Sequence, residues 1–346
     1  MEKTISKMET MGAVICVFIV YWQIMAVPPL IFLAYYTSRP RKKQYISAPR
    51  NAQKSRHFFG RFDKPPIFSM SVLGRYLYLQ SRRIVVTLRG KGGGAMDIPV
   101  YHYDTLDSTN TQCKRLAAEG AESAVVTADC QTAGRGRMGR RFQSPPGLGL
   151  YLSVLWRTGL CTETLPMITP LAAVAVCRAI EGVCGLRCGI KWPNDLLLGG
   201  RKVCGILTES AFRPDGTPDW VIVGIGINVS QTADDFSPDV AAIATSLRHQ
   251  LGRDVSRDAL AQALVGELAE LHDHVLPAPA LWREDYCARC INTGQQVQVV
   301  RGGTVRHAVA EGIDPQYGLT VRYDDGTAET LYSGEVSVRG LYGYSE

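Results

Sequence analysis

Acidic residues are scarce in the first 95 positions of this 346-residue sequence. Residues 1–95 contain 16 lysines and arginines against three acidic residues, a net charge of +13. Residues 96–346 contain 22 basic and 29 acidic residues, a net charge of −7. The overall excess of +6 would suggest a nucleic-acid partner, but it comes entirely from the N-terminal segment. We therefore expect no DNA partner for the larger, acidic part of the chain.

Charge is absent altogether between Glu9 and Arg39. Residues 11–37 are mostly apolar and long enough to cross a bilayer, although Pro28 and Pro29 interrupt them. The basic residues that follow would then remain on the cytoplasmic side. This pattern predicts an N-terminal membrane anchor, provided that the segment belongs to the protein.

Regular periodicity is missing from residues 39–95, which are basic and poor in acids and are therefore typical of an unstructured tail. Met96 opens a strand-like segment and would serve as a natural start for the folded region. The alternative to a membrane anchor is that residues 1–95 are a mis-extended gene model.

A complete zinc site is also absent from the sequence. Cys287 and Cys290 have the spacing of half a zinc or redox site, but no second cysteine pair with nearby histidines completes it. The ten cysteines follow no paired pattern, and several lie in apolar runs, where a free thiol packs as a small hydrophobe. Unpatterned cysteines favour a reducing compartment, so we expect the catalytic part to be cytoplasmic.

A dinucleotide-binding helix is excluded as well. Gly134, Gly136 and Gly139 match the pattern G-x-G-x-x-G after the strand predicted at residues 124–128. Residues 144–147, with the sequence Ser-Pro-Pro-Gly, prevent the helix that this fingerprint requires.

A glycine-rich loop remains, and four arginines lie within seven of its positions: Arg135, Arg137, Arg140 and Arg141. Guanidinium groups bind phosphate or carboxylate through paired donors, whereas the alternative is a solvated basic loop. We expect the loop to be mobile when empty, because like charges repel, and to order over an anion.

Residues 189–209 predict a β-hairpin with its turn at residues 199–200. One side of this hairpin gathers two cations, a carboxamide and a carboxylate: Lys191, Asn194, Asp195 and Lys202. Such a set suits a nucleotide, with lysines against phosphate charge and an aspartate for magnesium, ribose or base. The alternative is a charged hairpin edge in solvent. Asn228, at the end of the buried strand predicted at residues 220–229, is either a ligand contact or a strand-end turn residue.

Five short motifs follow one another along the chain. They are residues 107–110 (Asp-Ser-Thr-Asn), which alone would indicate only a helix N-cap, 131–140 (Gln-Thr-Ala-Gly-Arg-Gly-Arg-Met-Gly-Arg), 191–195 (Lys-Trp-Pro-Asn-Asp), 201–206 (Arg-Lys-Val-Cys-Gly-Ile) and 224–228 (Gly-Ile-Gly-Ile-Asn). In this order they resemble the biotin–protein ligase family, and the resemblance covers about residues 99–339.

The resemblance implies an α+β fold without an N-terminal helix-turn-helix domain. A class II synthetase-like mixed sheet with flanking helices would occupy residues 96–290, and a small SH3-like β-barrel would occupy residues 291–346. Short β-rich segments from residue 292 onward, separated by glycine- and aspartate-rich turns, agree with such a barrel.

The resemblance also implies a role for each site residue. Those that would hold the biotin ureido ring are Ser108, Thr109, Asn110 and Gln131. Arg135, Gly136 and Arg137 would close over the biotin carboxylate and the adenylate phosphate. Lys202 would contact the biotin carboxylate and Lys191 the phosphates, so Arg137, Lys191 and Lys202 would be the catalytic residues.

Further residues would face the nucleotide by the same resemblance: Asn194, Asp195 and Asn228. Asp195 would also bind Mg²⁺. Arg140 would help to order the loop, and Phe142 would cover the adenine, although relatives often have tryptophan there. Met138 stands where relatives commonly have a basic residue.

The implied activity is ATP-dependent biotin ligation. Biotin would be activated as biotinyl-AMP and passed to a lysine of a biotin carboxyl carrier protein or domain of acetyl-CoA carboxylase and related carboxylases. A homodimer is one option for the assembly of the protein. The alternatives are a lipoate or octanoate ligase, a DNA-bound repressor and a non-catalytic biotin-responsive regulator. Residues 1–95 show no three-helix pattern, which argues against the repressor, and the intact Lys191 and Lys202 argue against the regulator.

Overall fold

The computed structural model of the protein describes residues 81–89, 95–157, 161–332 and 336–340. The predicted membrane anchor at residues 11–37 and most of the predicted basic tail lie outside the described residues.

Eight strands form a mixed sheet in the order β1-β2-β3-β4-β8-β7-β6-β5. They are β1 (Ser81–Arg89), β2 (Ala95–Leu106), β3 (Ser123–Gln131), β4 (Gly149–Trp156), β5 (Gly189–Lys191), β6 (Asp195–Leu198), β7 (Arg201–Phe212) and β8 (Pro218–Asn228). β2 and β3 run parallel, and a helix connects them, as a parallel pair requires. The other neighbouring pairs are antiparallel.

Both faces of the central strands are buried. The helices are α1 (Thr109–Ala118), α2 (Leu165–Cys184), α3 (Pro238–Ala241), α4 (Leu247–Leu251), α5 (Arg257–Glu270) and α6 (Arg283–Arg289). Val125 packs into the core with α2 and α5, whereas its neighbour Val126 packs with α1 on the other face. Alternate residues of one strand therefore serve two separate cores, which explains why these strands are apolar throughout.

One described helix, Thr162–Cys184, is long and apolar enough to cross a membrane. Within the fold, 72% of its apolar window is buried. That degree of burial is typical of a core helix. The segment consists of α2 and the short turn before it, and α2 packs on α5 and the sheet.

A second sheet follows, with five antiparallel strands in the order β12-β11-β10-β9-β13. They are β9 (Gln296–Arg301), β10 (Thr304–Ile313), β11 (Leu319–Tyr323), β12 (Ala328–Leu331) and β13 (Val336–Gly340). The predicted strands of the small barrel are confirmed, and so is the predicted α+β fold with its class II synthetase-like sheet and SH3-like C-terminal part.

The two sheets meet around Trp192, which is almost fully buried. Its backbone N–H donates to Asn292 Oδ1 at 2.7 Å, and its indole Nε1 donates to the carbonyl of Tyr317 at 3.1 Å. The Tyr286 and Tyr317 rings pack edge to face at 5.3 Å. Because Trp192 follows Lys191 directly, the C-terminal sheet helps to position the lysine end of the predicted site.

The structure differs from the sequence predictions in two places. Residues 81–89 lie in the segment predicted as an unstructured tail, yet they form β1 and pair with β2. The basic segment contains a short β-branched run at residues 84–87, whose preference for strands outweighs the missing periodicity. The domain limits at residues 95/96 and 290/291 stay predictions.

The predicted single hairpin is the second difference. The chain turns between Lys191 and Asp195, so β5 pairs antiparallel with β6, and β6 pairs in turn with β7. A cis peptide bond joins Trp192 and Pro193 in that turn. The result is a three-stranded meander, with the predicted glycine turn at residues 199–200 joining only its last two strands.

Candidate active site

A cavity of about 630 Å³ lies between the start of α1, the arginine loop and the strands β5 to β8. Its size is that of a small-molecule site. All fourteen residues predicted from the sequence line it: Ser108, Thr109, Asn110, Gln131, Arg135, Gly136, Arg137, Arg140, Phe142, Lys191, Asn194, Asp195, Lys202 and Asn228. The fold thus brings together residues that lie up to 120 positions apart in the chain.

Neutral side chains that hydrogen-bond to one another form the wall of the cavity at α1. Gln131 Oε1 accepts from the backbone N–H of Thr109 at 2.9 Å and lies 3.2 Å from its hydroxyl. The amide Nε2 of Gln131 donates to Ser144 Oγ at 2.8 Å. Ser108 occupies the N-cap position of α1, but its side chain makes no capping bond to that helix. The simple N-cap interpretation of Ser108 is therefore wrong, because its side chain does not cap the helix; the residue lines the cavity.

Asn110 is buried in the same wall, and the fold uses both ends of its carboxamide. Its Oδ1 lies 2.6 Å from Ser153 Oγ, and its Nδ2 donates to the carbonyl of Leu207 at 3.2 Å and to Glu209 Oε2 at 2.9 Å. Ser153 Oγ is also 2.7 Å from Thr109 Oγ1. Asn110 thus orders the wall, and its predicted contact with biotin stays a prediction.

Glycines form the floor of the cavity. Gly205 on β7 lies directly opposite Gly226 on β8. A Cβ added to Gly226 would lie 2.5 Å from the ring of Phe142, and one added to Gly224 would collide with the carboxamide of Asn110. Glycine is therefore required at both positions, because the side chains that form the cavity pack directly on the backbone.

The arginine loop folds back on itself above this floor. Gly136 N–H donates to the carbonyl of Arg140 at 2.7 Å, and Phe142 N–H donates to that of Gly134 at 3.0 Å. Met138 sits at the tip with a φ of 54°, in the left-handed region that is uncommon for non-glycine residues, and it is exposed.

Arg137 reaches from the loop into the cavity. Its Nη1 donates to Asn194 Oδ1 at 3.0 Å. Burial lowers the pKa of the Arg137 guanidinium, while the charge of Asp195 raises it and that of Arg140 lowers it further. Arg137 thus bridges the loop and the meander at the lysine end.

Cations and a carboxylate meet on the meander. Lys202 Nζ donates to Asp195 Oδ1 at 2.6 Å, and Lys191 lies directly opposite Asp195 in the β5–β6 pair. Asn194 Nδ2 donates to the carbonyl of Ile206 at 3.0 Å, which holds its oxygen toward Arg137. Positive charge is therefore concentrated at this end of the cavity, where a phosphate would be stabilised.

Asn228 closes the end of β8. Its Nδ2 donates to the carbonyl of Thr245 at 3.0 Å, and Gln231 Nε2 lies 3.4 Å from its Oδ1. Asn228 therefore anchors the segment that forms the last wall of the cavity. Its contact with a nucleotide stays a prediction.

Sequence reasoning missed that last wall, which lies between β8 and α4. Its lining residues are Phe236, Ser237, Asp239, Val240, Ile243 and Ala244. Gln143, just after the arginine loop, pairs reciprocally with Ser237: Nε2 donates to the hydroxyl at 2.6 Å, and the backbone N–H of Ser237 donates to Oε1 at 3.2 Å. The only local signal was Pro238 at the start of the four-residue α3, which is too short to show a period.

Comparison with known proteins places this geometry in a family. The model of the "Biotin/lipoate A/B protein ligase family" matches residues 101–228, and that of the "Biotin protein ligase C terminal domain" matches residues 293–339. The "Bifunctional ligase/repressor BirA" of Bacillus subtilis is 36% identical over 245 residues, which cover 69% of this chain and 73% of the relative. The chain belongs to the biotin protein ligase family. This ligase is also 35% identical over 242 residues to the "Biotin--[acetyl-CoA-carboxylase] ligase" of Paracoccus denitrificans, covering 66% of this chain and 98% of that relative.

A solved structure agrees with the fold of the ligase. The biotin protein ligase from Aquifex aeolicus, in complex with biotin and ATP, superposes with a TM-score of 0.57 and 25% sequence identity. The superposition covers 70% of this chain and 98% of the Aquifex chain.

Proposed function

We propose that this ligase joins biotin to ATP as biotinyl-AMP and then transfers the biotinyl group to a lysine of a biotin carboxyl carrier protein or domain. The main support for this proposal is that one cavity contains both a neutral, hydrogen-bonding wall and a cluster of cations. A ureido ring requires the first environment, whereas a carboxylate and phosphates require the second.

Biotin would lie with its ureido ring against the wall at Ser108, Thr109 and Gln131. Its carboxylate would then point toward Lys202 and the arginine loop. Lys202 belongs to the meander strands, which hold its Nζ beside Asp195 at 2.6 Å. A carboxylate oxygen would attack the α-phosphorus of ATP in line, the bond from that phosphorus to the β-phosphate would break, and pyrophosphate would leave.

Charge neutralisation and positioning would supply the rate enhancement. Lys191 would face the phosphates, and Arg137 would bridge the carboxylate and the α-phosphate, where negative charge is densest in the transition state. No covalent enzyme intermediate is required, because the carboxylate of biotin is itself the nucleophile.

Retention of the adenylate would depend on the arginine loop. A mixed anhydride hydrolyses in water, so the cavity must stay closed until the acceptor arrives. The contacts from Arg137 to Asn194 and from Gln143 to Ser237 fasten the loop on two sides. The deprotonated acceptor lysine would then attack the carbonyl carbon, and AMP would leave.

Mg²⁺ would be held beside the phosphates by Asp195. The cavity offers this carboxylate next to the lysines, and magnesium commonly binds one or two protein carboxylates together with substrate phosphates and water. When bound, the ion would neutralise phosphate charge and assist departure of pyrophosphate.

The reaction would take place in the cytoplasm. The nine described cysteines are free thiols, as a reducing compartment would leave them. A homodimer is compatible with this proposal and can be tested by sedimentation.

The test is transfer of labelled biotin to a purified carrier domain, with the full chain and with a chain that begins at Met96. We expect both to label the carrier at its acceptor lysine in an ATP-dependent reaction. Failure of the full chain to label any carrier would overturn the proposal. Failure of the shorter chain alone would show that residues upstream of Met96, which include β1, are needed.

A lipoate or octanoate ligase is the alternative, because the matching family model covers both kinds of enzyme. Pyrophosphate release measured with biotin, lipoate and octanoate separates the two. We expect release with biotin only, since the wall at Gln131 presents polar partners that an aliphatic chain cannot satisfy.

A further inference from the structure

Glu209 lies one layer behind the cavity, on β7. Its side chain is only 19% exposed and does not reach the cavity surface. Its two oxygens accept from two residues of α1: Oε2 from Asn110 Nδ2 at 2.9 Å, and Oε1 from Lys114 Nζ at 2.7 Å. This carboxylate therefore ties the edge of the neutral wall to the strand beneath it.

Arg135, at the base of the arginine loop, forms an ion pair with the same carboxylate. Its Nη1 is 3.6 Å from Glu209 Oε1. The loop concentrates positive charge, so a fixed negative charge where the loop leaves β3 offsets part of its self-repulsion. Because the carboxylate is mostly buried, solvent screens this attraction less than it would screen an exposed pair.

Glu209 carries its charge at neutral pH. Burial raises the pKa of its carboxyl, but hydrogen bonds from Lys114 and Asn110, together with the charges of Lys114 and Arg135, outweigh burial and hold the pKa below its usual value. Removal of this charge would leave two cations beside a buried wall with no compensating group on β7.

We infer that Glu209 is a positioning residue, which holds Asn110 and Arg135 in register so that the neutral wall and the arginine loop close on the same ligand. Glu209 acts through these two residues and does not touch the ligand. The inference rests on the proposed function, since it concerns the affinity of the site for biotin.

Glu209→Gln tests this role in the full chain. Glutamine keeps the size of the side chain and an acceptor for Asn110, but it removes the negative charge. We expect Kd and KM for biotin to rise about tenfold, with kcat for transfer within about twofold of wild type. Glu209→Asp, which keeps the charge, should recover most of the biotin affinity.

Asp219→Asn is the matched control. Asp219 is a carboxylate on the neighbouring strand β8, 29% exposed and paired with Arg157 at 3.5 Å and Arg213 at 3.6 Å. Its loss should lower thermal stability about as much as Glu209→Gln, with no change in biotin Kd. Equal biotin Kd values for the two variants would reduce Glu209 to a structural ion pair and overturn the inference.

A double-mutant cycle identifies the path of the effect. In an Arg135→Gln background, Glu209→Gln should change biotin Kd by less than about twofold, because the Arg135 guanidinium that Glu209 holds is already absent. Full additivity, or a Lys114→Gln variant that reproduces the whole effect, would overturn the role of Arg135. Calorimetric Kd values decide this question separately from transfer, so an inactive wild-type chain would contradict the proposed function without blocking this test.

Discussion

The two ends of the cavity differ in charge and in burial. At the α1 end, the groups of the cavity wall are neutral and largely shielded from solvent. Asn110 in the wall and Ser153 behind it are both buried. At the meander end, the groups are ionic and more open: the side chain of Lys202 is 24% exposed, and that of its partner Asp195 is 18% exposed.

This difference corresponds to two tasks. Buried neutral partners discriminate strongly, because a ligand that fails to satisfy them leaves them unpaired in a medium of low dielectric constant. Charged groups on a meander and a loop neutralise developing charge and can close over a ligand that has already been selected. We therefore expect changes at the α1 end to affect selection and affinity, and changes at the meander end to affect chemistry and retention.

Lys202→Ala should produce the largest effect. Loss of the ammonium removes one donor to the developing charge and breaks the 2.6 Å contact with Asp195, so adenylate formation should fall about a thousandfold. Pyrophosphate release under single-turnover conditions measures this step. The control is Arg201→Ala, since the adjacent arginine contacts His249 outside the cavity. Normal pyrophosphate release by Lys202→Ala would remove the meander from the chemistry.

Gly224→Ala should have the next largest effect, on affinity rather than on chemistry. The new methyl group would collide with the carboxamide of Asn110, and displacement of the wall by about 1 Å should weaken biotin binding about a hundredfold. Titration calorimetry provides the Kd. Gly182→Ala in α2 is the matched control, because nothing lies within 4 Å of its added methyl group. Unchanged biotin binding by Gly224→Ala would show that the wall adapts and does not select.

Arg137→Ala should raise the rate of adenylate release about tenfold, which corresponds to about 1.4 kcal/mol. The guanidinium joins the loop to Asn194, so its loss frees the loop on the meander side. A filter-retention assay of preformed adenylate measures the rate. Arg141→Ala removes the same charge from the same loop, but its guanidinium donates to the carbonyl of Thr132 and not to the meander. Equal release rates would mean that the charge of the loop matters and the position of Arg137 does not.

Ser153→Ala should have the smallest effect, about a fivefold rise in biotin KM, because the neutral hydroxyl that contacts Thr109 and Asn110 is lost from behind the wall. Thr169→Val is the matched control: it removes another buried hydroxyl, which donates to Thr208 Oγ1 at 2.8 Å away from the site. Both variants should lose about 1–3 kcal/mol of stability in denaturant unfolding. An equal biotin KM for the two would show that Ser153 supports the fold only.

Local patterns predicted the strands β3 and β8 correctly. Both are apolar runs with turn residues close to their ends. Such signals lie within one stretch of chain, so no knowledge of neighbours is needed. β1 was missed because its short β-branched run lies within a basic segment that has no periodicity, and its partner β2 is identified only by the fold.

The sequence by itself determined the set of chemical groups: the arginine loop, the two lysines and the neighbouring amides and carboxylate. Only the tertiary structure decided how those groups are used. Asn110, predicted as a ligand contact, bonds Glu209 across 99 positions of sequence, and the wall at Ser237 faces Gln143 across 94. These partners depend on strand register and on long connections, which no local pattern encodes. The requirement for glycine at 224 and 226 has the same origin, because the side chains that contact these positions, Asn110 and Phe142, come from other elements of the fold.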